Sequence, residues 1–122
     1  MKRPHCEVMI KTTIPLIRAC LAHILTKECG ISIYHASKML GVTPAAISNY
    51  LSNKRSRVDA VMKALKDDTL GKEMRKWASE IIKGNVEAGD VICILCRKYG
   101  DIFRKIAEDS LNNNIVVKSG NS

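Results

Sequence analysis

The stretch that decides the fold runs from residue 32 to residue 57 and reads SIYHASKMLGVTPAAISNYLSNKRSR. Its apolar residues Ile33, Ala36 and Leu40 follow the i, i+3, i+7 spacing of one helical face. Gly41 comes next, where a helix often ends, since glycine adopts the left-handed conformation without a Cβ penalty. The pattern therefore predicts a short helix that ends at Gly41.

A second short helix is predicted directly after this turn. Thr43 is a favourable N-cap, and Pro44 fits the first helical position, where its missing N–H costs nothing. Three residues are expected to face the first helix: Ile47, Tyr50 and Leu51. Two short helices joined by a tight turn are the pattern of a helix-turn-helix. Its second helix, residues 43–52, is expected to be the recognition helix that enters the major groove.

The outward face of this helix and the basic residues after it carry the predicted DNA contacts. A carboxamide can form two hydrogen bonds with an adenine edge, so we expect Asn49 to read bases. Ser48 can form a hydrogen bond with a base of either strand, and Ala45 can contact a thymine methyl group. Hydroxyl and basic side chains are expected to hold phosphates. The predicted set is Thr43, Pro44, Ala45, Ser48, Asn49, Ser52, Lys54, Arg55 and Arg57. The alternative is an ordinary helical hairpin with a solvated basic end.

The net charge of the chain favours a nucleic-acid partner. The whole chain carries a formal charge of +8. Residues 1–66 hold 11 Lys/Arg and 3 acidic residues, whereas residues 67–122 hold 9 of each. The positive excess therefore belongs to the half with the helix-turn-helix pattern, as phosphate binding requires. A basic helix on a membrane surface is the competing interpretation, but no segment pairs a Lys/Arg face with a Trp/Phe/Leu face.

Composition predicts an all-α protein with an aliphatic core. The 122 residues are 46% hydrophobic but include only one Trp and one Phe, and strand-like alternation is scarce. Because no apolar run reaches membrane-spanning length and no apolar signal region follows Met1-Lys2-Arg3, we expect a soluble, cytoplasmic protein without a membrane partner. The five cysteines are then expected to be thiols or metal ligands, since the cytosol is reducing.

The apolar pattern divides the chain into three parts. Residues 1–67 are expected to form the DNA-binding core, residues 68–110 a C-terminal helical hairpin, and residues 111–122 a flexible tail. The hairpin either packs on itself and the core or forms a homodimer, which most helix-turn-helix proteins do. The favoured dimer seam is the stripe of Ile92, Leu95, Tyr99, Ile102 and Ile106.

A Cys-x-x-Cys pair lies within this stripe. Cys93 and Cys96 fall on adjacent turns of one helix face, where two thiolates can coordinate zinc or the iron of an iron–sulfur cluster. Cys6 is the best third ligand that the sequence offers. Two buried core thiols are the alternative to this metal site, and a redox disulfide is the third possibility.

The chain resembles a family of small predicted transcriptional regulators of archaea and some bacteria. The resemblance rests on Cys6-Glu7, on Pro15-Leu16-Ile17-Arg18, on the run from Gly41 to Arg55 that ends Tyr-Leu-Ser-Asn-Lys-Arg, and on the Cys93–Cys96 pair. The recognition helix, with Ala45-Ala46-Ile47-Ser48, is also similar to Cro-like proteins. This resemblance implies operator binding, with the C-terminal cysteines in a separate helical part.

Other classes of function fit the sequence less well. Acidic residues are scattered among Lys and Arg, so no convergent catalytic set is visible and we expect no enzyme activity. An antitoxin-like module that docks a protein through its C-terminal half is a further alternative. RNA binding is less favoured, because the sequence lacks the aromatic residues on which unpaired bases stack.

Overall fold

The computed structural model describes residues 13–52 and 55–121, and their side chains over 13–51 and 58–110. Every regular element in these ranges is helical, which confirms the all-α prediction. A π-helical turn, Ile24–Glu28, directly continues the first helix. The α-helices are α1 (Ile14–His23), α2 (Ile33–Leu40), α3 (Pro44–Ser52), α4 (Arg55–Lys66), α5 (Asp68–Lys83) and α6 (Ala88–Asn121).

Helix α1 lies at the centre of the core. Pro15 occupies its first turn, as predicted, because a missing N–H is harmless there. Its apolar stripe is buried together with the first residues of the π-helical turn, and Cys20 behaves as the small core hydrophobe that the spacing predicts. Burial raises the pKa of the Cys20 thiol, so this side chain stays protonated and unreactive.

Helices α2 and α3 form the predicted pair around a three-residue turn. Ser32 caps α2 by accepting a hydrogen bond from the N–H of His35 at 3.2 Å. Gly41 ends α2 with φ 72°, the left-handed conformation that favours glycine. Thr43 Oγ1 accepts from the N–H of Ala46 at 3.1 Å, so α3 has the expected N-cap. Ile47 is completely buried and fixes α3 on the core.

Two apolar residues are more exposed than their spacing predicts. Ile33 was expected on the buried face of α2 but, as the first residue of the helix, is 38% exposed. Ser37 is buried instead, and its hydroxyl donates to the carbonyl of Tyr34 at 2.6 Å. Val58, in the first described turn of α4, is also 38% exposed.

Helix α5 begins with an aspartate cap. Thr69 is also a favourable capping residue, but Asp67 is the cap, since its Oδ1 accepts from the N–H of Leu70 at 2.9 Å. An aspartate satisfies a first-turn N–H and also suits the positive end of the helix dipole. Gly71 then approaches α4 closely, for a Cβ there would lie 2.5 Å from the carbonyl oxygen of Leu65.

Helix α6 is part of the main core rather than half of a separate hairpin. It packs mainly on α4 and on α1, with fewer contacts to α5. Leu95 and Phe103 are completely buried in the same core as the residues of α1. The division at residues 67 and 68 is therefore not a boundary between two cores. Helix α6 continues to Asn121, and the flexibility expected for residues 111–122 stays a prediction.

Two ion pairs join elements that are distant in sequence. The Arg75 guanidinium of α5 donates Nε to Glu28 Oε1 at 2.8 Å and Nη2 to Glu28 Oε2 at 2.9 Å. Lys98 of α6 donates to Glu73 of α5 at 3.0 Å. The hydrogen bonds from Arg75 and from Lys98 hold the pKa values of Glu28 and Glu73 below the usual range for glutamate.

Candidate nucleic-acid interface

The outward face of α3 presents most of the predicted base-reading residues together. The exposed residues on this face and its cap are Thr43, Pro44, Ala45, Ser48 and Asn49. None carries a charge, and all are small or short. A helix with this surface can lie deep in a groove without steric hindrance, while its amide and hydroxyl groups reach base edges.

The opposite face of α3 is anchored. Ile47 is completely buried, and Tyr50 and Leu51 pack half-buried against the core. This face contacts α1 and α2. Helix α3 is therefore held along one side and open along the other, which is the arrangement that a recognition helix requires.

Helix α2 adds an outward-facing group that the sequence analysis did not single out. Tyr34 is 56% exposed. The Lys38 ammonium lies 5.2 Å from the centroid of its ring, and His35 meets the ring edge-on at 5.6 Å. An aromatic residue and a lysine four positions apart were the signal for this group, since residues i and i+4 adjoin on a helix.

The predicted phosphate contacts fall largely outside the described part of the structure. Lys54 lies outside the described residues, as do the side chains of Ser52, Arg55 and Arg57. Arg55 is the first residue of α4. The role of these four residues therefore stays a prediction.

The cysteine pair lies in the part of α6 before its kink at Tyr99, where φ is −127° and ψ is 16°. Cys93 is exposed and Cys96 is half-buried, and no disulfide joins them. Among the residues that the structure describes, no group of three His, Cys, Asp or Glu side chains is placed to hold a metal ion. The third predicted ligand, Cys6, lies outside the described residues, so the metal site stays a prediction.

The stripe proposed as a dimer seam mostly faces the chain's own core. Ile92 and Leu95 are buried there, and Tyr99 and Ile106 pack half-buried against it. Only Ile102 of this stripe is well exposed, at 46%. Because their surface is already covered, Ile92 and Leu95 cannot form a seam in this arrangement. The homodimer itself stays a prediction.

Comparison of the chain with protein-family models, with curated proteins and with solved structures finds no match. The resemblance to small transcriptional regulators therefore rests on the sequence motifs alone. Within the ranges described above, none of the helices has the length and apolar character needed to cross a lipid bilayer.

Proposed function

We propose that this protein is a sequence-specific regulator that binds double-stranded DNA through α3. The observation that carries the proposal is the geometry of this helix. Thr43 caps it, Ile47 fixes its inner face, and Ala45, Ser48 and Asn49 form an exposed, uncharged outer face. A capped helix anchored along one side is suited to enter the major groove as a rigid unit.

Base recognition and affinity come from different residues in this proposal. The Asn49 carboxamide donates to and accepts from an adenine edge, and Ala45 packs against a thymine methyl group. Affinity comes from lysine and arginine at phosphates, which release counterions from the DNA. The excess of positive charge over residues 1–66 supplies this sequence-independent part.

Helix α2 is expected to lie across the sugar–phosphate backbone at the edge of the groove. In this position the Tyr34 hydroxyl can donate to a phosphate oxygen, and Lys38 can pair with its charge. The 5.2 Å approach of Lys38 to the Tyr34 ring holds the two groups beside each other before DNA arrives.

Single substitutions test the division of roles. Asn49→Ala should cost about 1–3 kcal/mol on the preferred duplex and relax its sequence preference. Lys54→Ala should weaken every duplex alike and lower the slope of log affinity against log salt by about one unit. Binding is measured by fluorescence anisotropy over a series of salt concentrations.

Matched controls separate these roles from folding. Asn49 takes part in an interaction within the chain, so the thermal unfolding of Asn49→Ala is recorded beside its binding. Lys63→Ala removes an exposed positive charge of α4 that is not among the predicted DNA contacts, and it should change affinity less than Lys54→Ala. Equal weakening of all sequences by Asn49→Ala would contradict the base-reading role.

A second candidate function is regulation of DNA binding by metal or oxidation at Cys93 and Cys96. The exposure of Cys93, one helical turn from Cys96 and just before the kink at Tyr99, favours it. Protein purified without oxygen should then contain iron or zinc in near-stoichiometric amount. Cys93→Ser should lose this metal, whereas Cys29→Ser, which removes an exposed thiol elsewhere, should keep it. A metal-free wild type would leave the pair as simple thiols.

A further inference from the structure

A small pocket lies between α1, α3 and α4, at the C-terminal end of α3. Its volume is about 100 Å³. Apolar side chains form most of its wall, chiefly Leu51, Val58, Val61 and Met62. Val58 is 38% exposed, so the pocket is open to solvent on its α4 side.

The polar groups of the pocket include a positive charge. His23 and Lys27 line it, one helical turn apart, and none of the described residues that line it is acidic. Glu28 is the nearest acid in sequence, but both of its carboxylate oxygens are held by Arg75 at 2.8 and 2.9 Å. Lys27 forms no ion pair with any residue that the structure describes. Within the described ranges, its ammonium is thus a positive charge without an ion-pair partner at the rim of a largely apolar pocket.

The backbone at this rim is unusual. Lys27 belongs to the π-helical turn Ile24–Glu28, which displaces the residues after α1 from regular α-helical register. Thr26 Oγ1 donates to the carbonyl of Ala22 at 2.8 Å and satisfies one acceptor of the widened turn. Single π-helical turns are rare and often occur at functional sites, because they cost stability.

His23 supplies a hydrogen-bonding group beside this charge. Burial is the main cause that lowers the pKa of its imidazole, the charges of Lys27 and Arg75 also lower it, and Glu28 opposes them. The ring is therefore neutral near pH 7 and offers either a donor or an acceptor nitrogen. The pocket thus combines an apolar wall, the hydrogen-bonding groups of His23 and Tyr50, and the cation of Lys27.

We infer that this pocket binds a small aromatic carboxylate. The ring lies against Val58, Val61 and Met62, and the carboxylate meets Lys27 and His23. The pocket, at about 100 Å³, is smaller than the closed cavity of about 150 Å³ that holds benzene and far below the roughly 300–1,000 Å³ of pockets for larger ligands. A single ring therefore lies partly in the pocket and partly in its opening beside Val58, and its charged group stays at the rim, where water still reaches Lys27.

Such a ligand also contacts the end of the recognition helix. Tyr50 and Leu51, in the last turn of α3, both line the pocket. Occupation of the pocket biases the position of this turn relative to α1 and α4, so the ligand acts as an effector of DNA binding. This step rests on the proposed function, whereas the binding of the carboxylate does not.

Fluorine NMR with para-fluorobenzoate as the probe tests the binding without DNA. The wild type should show saturable binding in the millimolar range. Lys27→Gln should weaken it about fivefold, the upper range for an exposed ion pair, and Lys27→Arg should restore it. Lys63→Gln, which removes an exposed lysine outside the pocket, should leave it unchanged. The inference would be overturned if para-fluorobenzoate binding did not saturate, or if Lys27→Gln and Lys63→Gln lowered the affinity equally.

Two further measurements address the apolar wall and the class of ligand. Val58→Phe places a ring in the open side of the pocket and should abolish saturable binding. Neutral para-fluorobenzyl alcohol should bind more weakly than the carboxylate, and equal affinity would overturn the assigned class. If the carboxylate binds but leaves DNA affinity unchanged, the effector role fails. If no DNA is bound at all, the proposed function fails while the pocket assignment stands on its own measurement.

Discussion

At the scale of single residues, Gly71 tests the packing of α5 on α4. A Cβ at this position would lie 2.5 Å from the backbone oxygen of Leu65, which cannot move without displacing α4. Gly71→Ala should therefore destabilise the protein by about 1–3 kcal/mol, as overpacked cores do. The free energy of unfolding in urea measures the effect.

Gly89 provides the matched control for this substitution. It is also a helical glycine, but a Cβ there meets no atom within 4 Å. Gly89→Ala should leave stability unchanged or raise it by up to about 1 kcal/mol, because alanine has the higher helix propensity. Equal effects of the two substitutions would show that α5 does not approach α4 as described.

His23 predicts a dependence of stability on pH. Burial lowers the pKa of its imidazole from the ordinary value of 6.5, so the unfolded chain takes up a proton before the folded protein does. The contribution of neutral His23 to stability is thus complete above about pH 7. It decreases as the pH falls through 6.5 and does not decrease further once the pH is below the lowered pKa of the folded protein.

Urea unfolding at about pH 7.5 and about pH 5.5 measures this loss. His23→Gln should reduce the difference between the two pH values, and His35→Gln, at an exposed position of α2, serves as its control. Glu28 affects the pH dependence of stability only below its ordinary pKa of 4.5, because its protonation there weakens the ion pair with Arg75. A pH difference that His23→Gln leaves unchanged would contradict the burial of this ring.

The local signals around the turn could be read from the sequence because they depend on neighbouring residues. Gly41, Thr43 and Pro44 have the roles that their backbone preferences dictate. Asp67 was missed as a cap because Thr69 is an equally good capping residue two positions later. The choice between them depends on where α4 ends, which α5 and the close approach of Gly71 determine.

At the scale of the element, the cap of α3 can be tested through its stability. Thr43→Ala removes the oxygen that accepts the N–H of Ala46 and should cost about 1 kcal/mol of unfolding free energy. Thr43→Ser keeps this oxygen and should restore most of the loss. If Thr43→Ser is as unstable as Thr43→Ala, the methyl group rather than the cap stabilises the helix.

Helical spacing predicted which elements exist but not always which faces they bury. Leu70, Met74 and Ile81 are buried as their spacing indicates. Ile33 and Val58 follow equally good spacing, yet each lies in the first turn of its helix and is 38% exposed. Periodicity describes one helix at a time and does not state how far its neighbours extend.

At the scale of the whole molecule, the structure predicts that the first 67 residues do not fold alone. Helix α6 covers α4 and α1, and Val91, Leu95 and Phe103 are completely buried in the shared core. Without them a large part of α1 and α4 would be exposed to water. A fragment of residues 1–67 should therefore lack a cooperative urea transition by circular dichroism.

A truncation after Ser110 is the control, because it keeps every buried side chain of the described part of α6. It should unfold cooperatively. Cooperative unfolding of residues 1–67 alone would show instead that the DNA-binding part has its own core, as the sequence suggested.

The tertiary role of α6 could not be derived from the sequence. The stripe of Ile92, Leu95, Tyr99, Ile102 and Ile106 fits a dimer seam and an internal core equally well, since both bury an apolar face. The pocket beside His23 could not be predicted from the sequence either, because it is formed by three helices and a π-helical turn that the apolar pattern does not reveal.

Sequence-specific DNA binding is tested most directly by selection of binding sites from a pool of randomised duplexes at physiological salt. The wild type should select a shared motif a few base pairs long that fits one major-groove contact of α3. For a homodimer it is repeated in inverted orientation with half-site centres about 34–36 Å apart. Asn49→Ala should relax this motif. No enrichment over the starting pool by the wild type would contradict sequence-specific DNA binding.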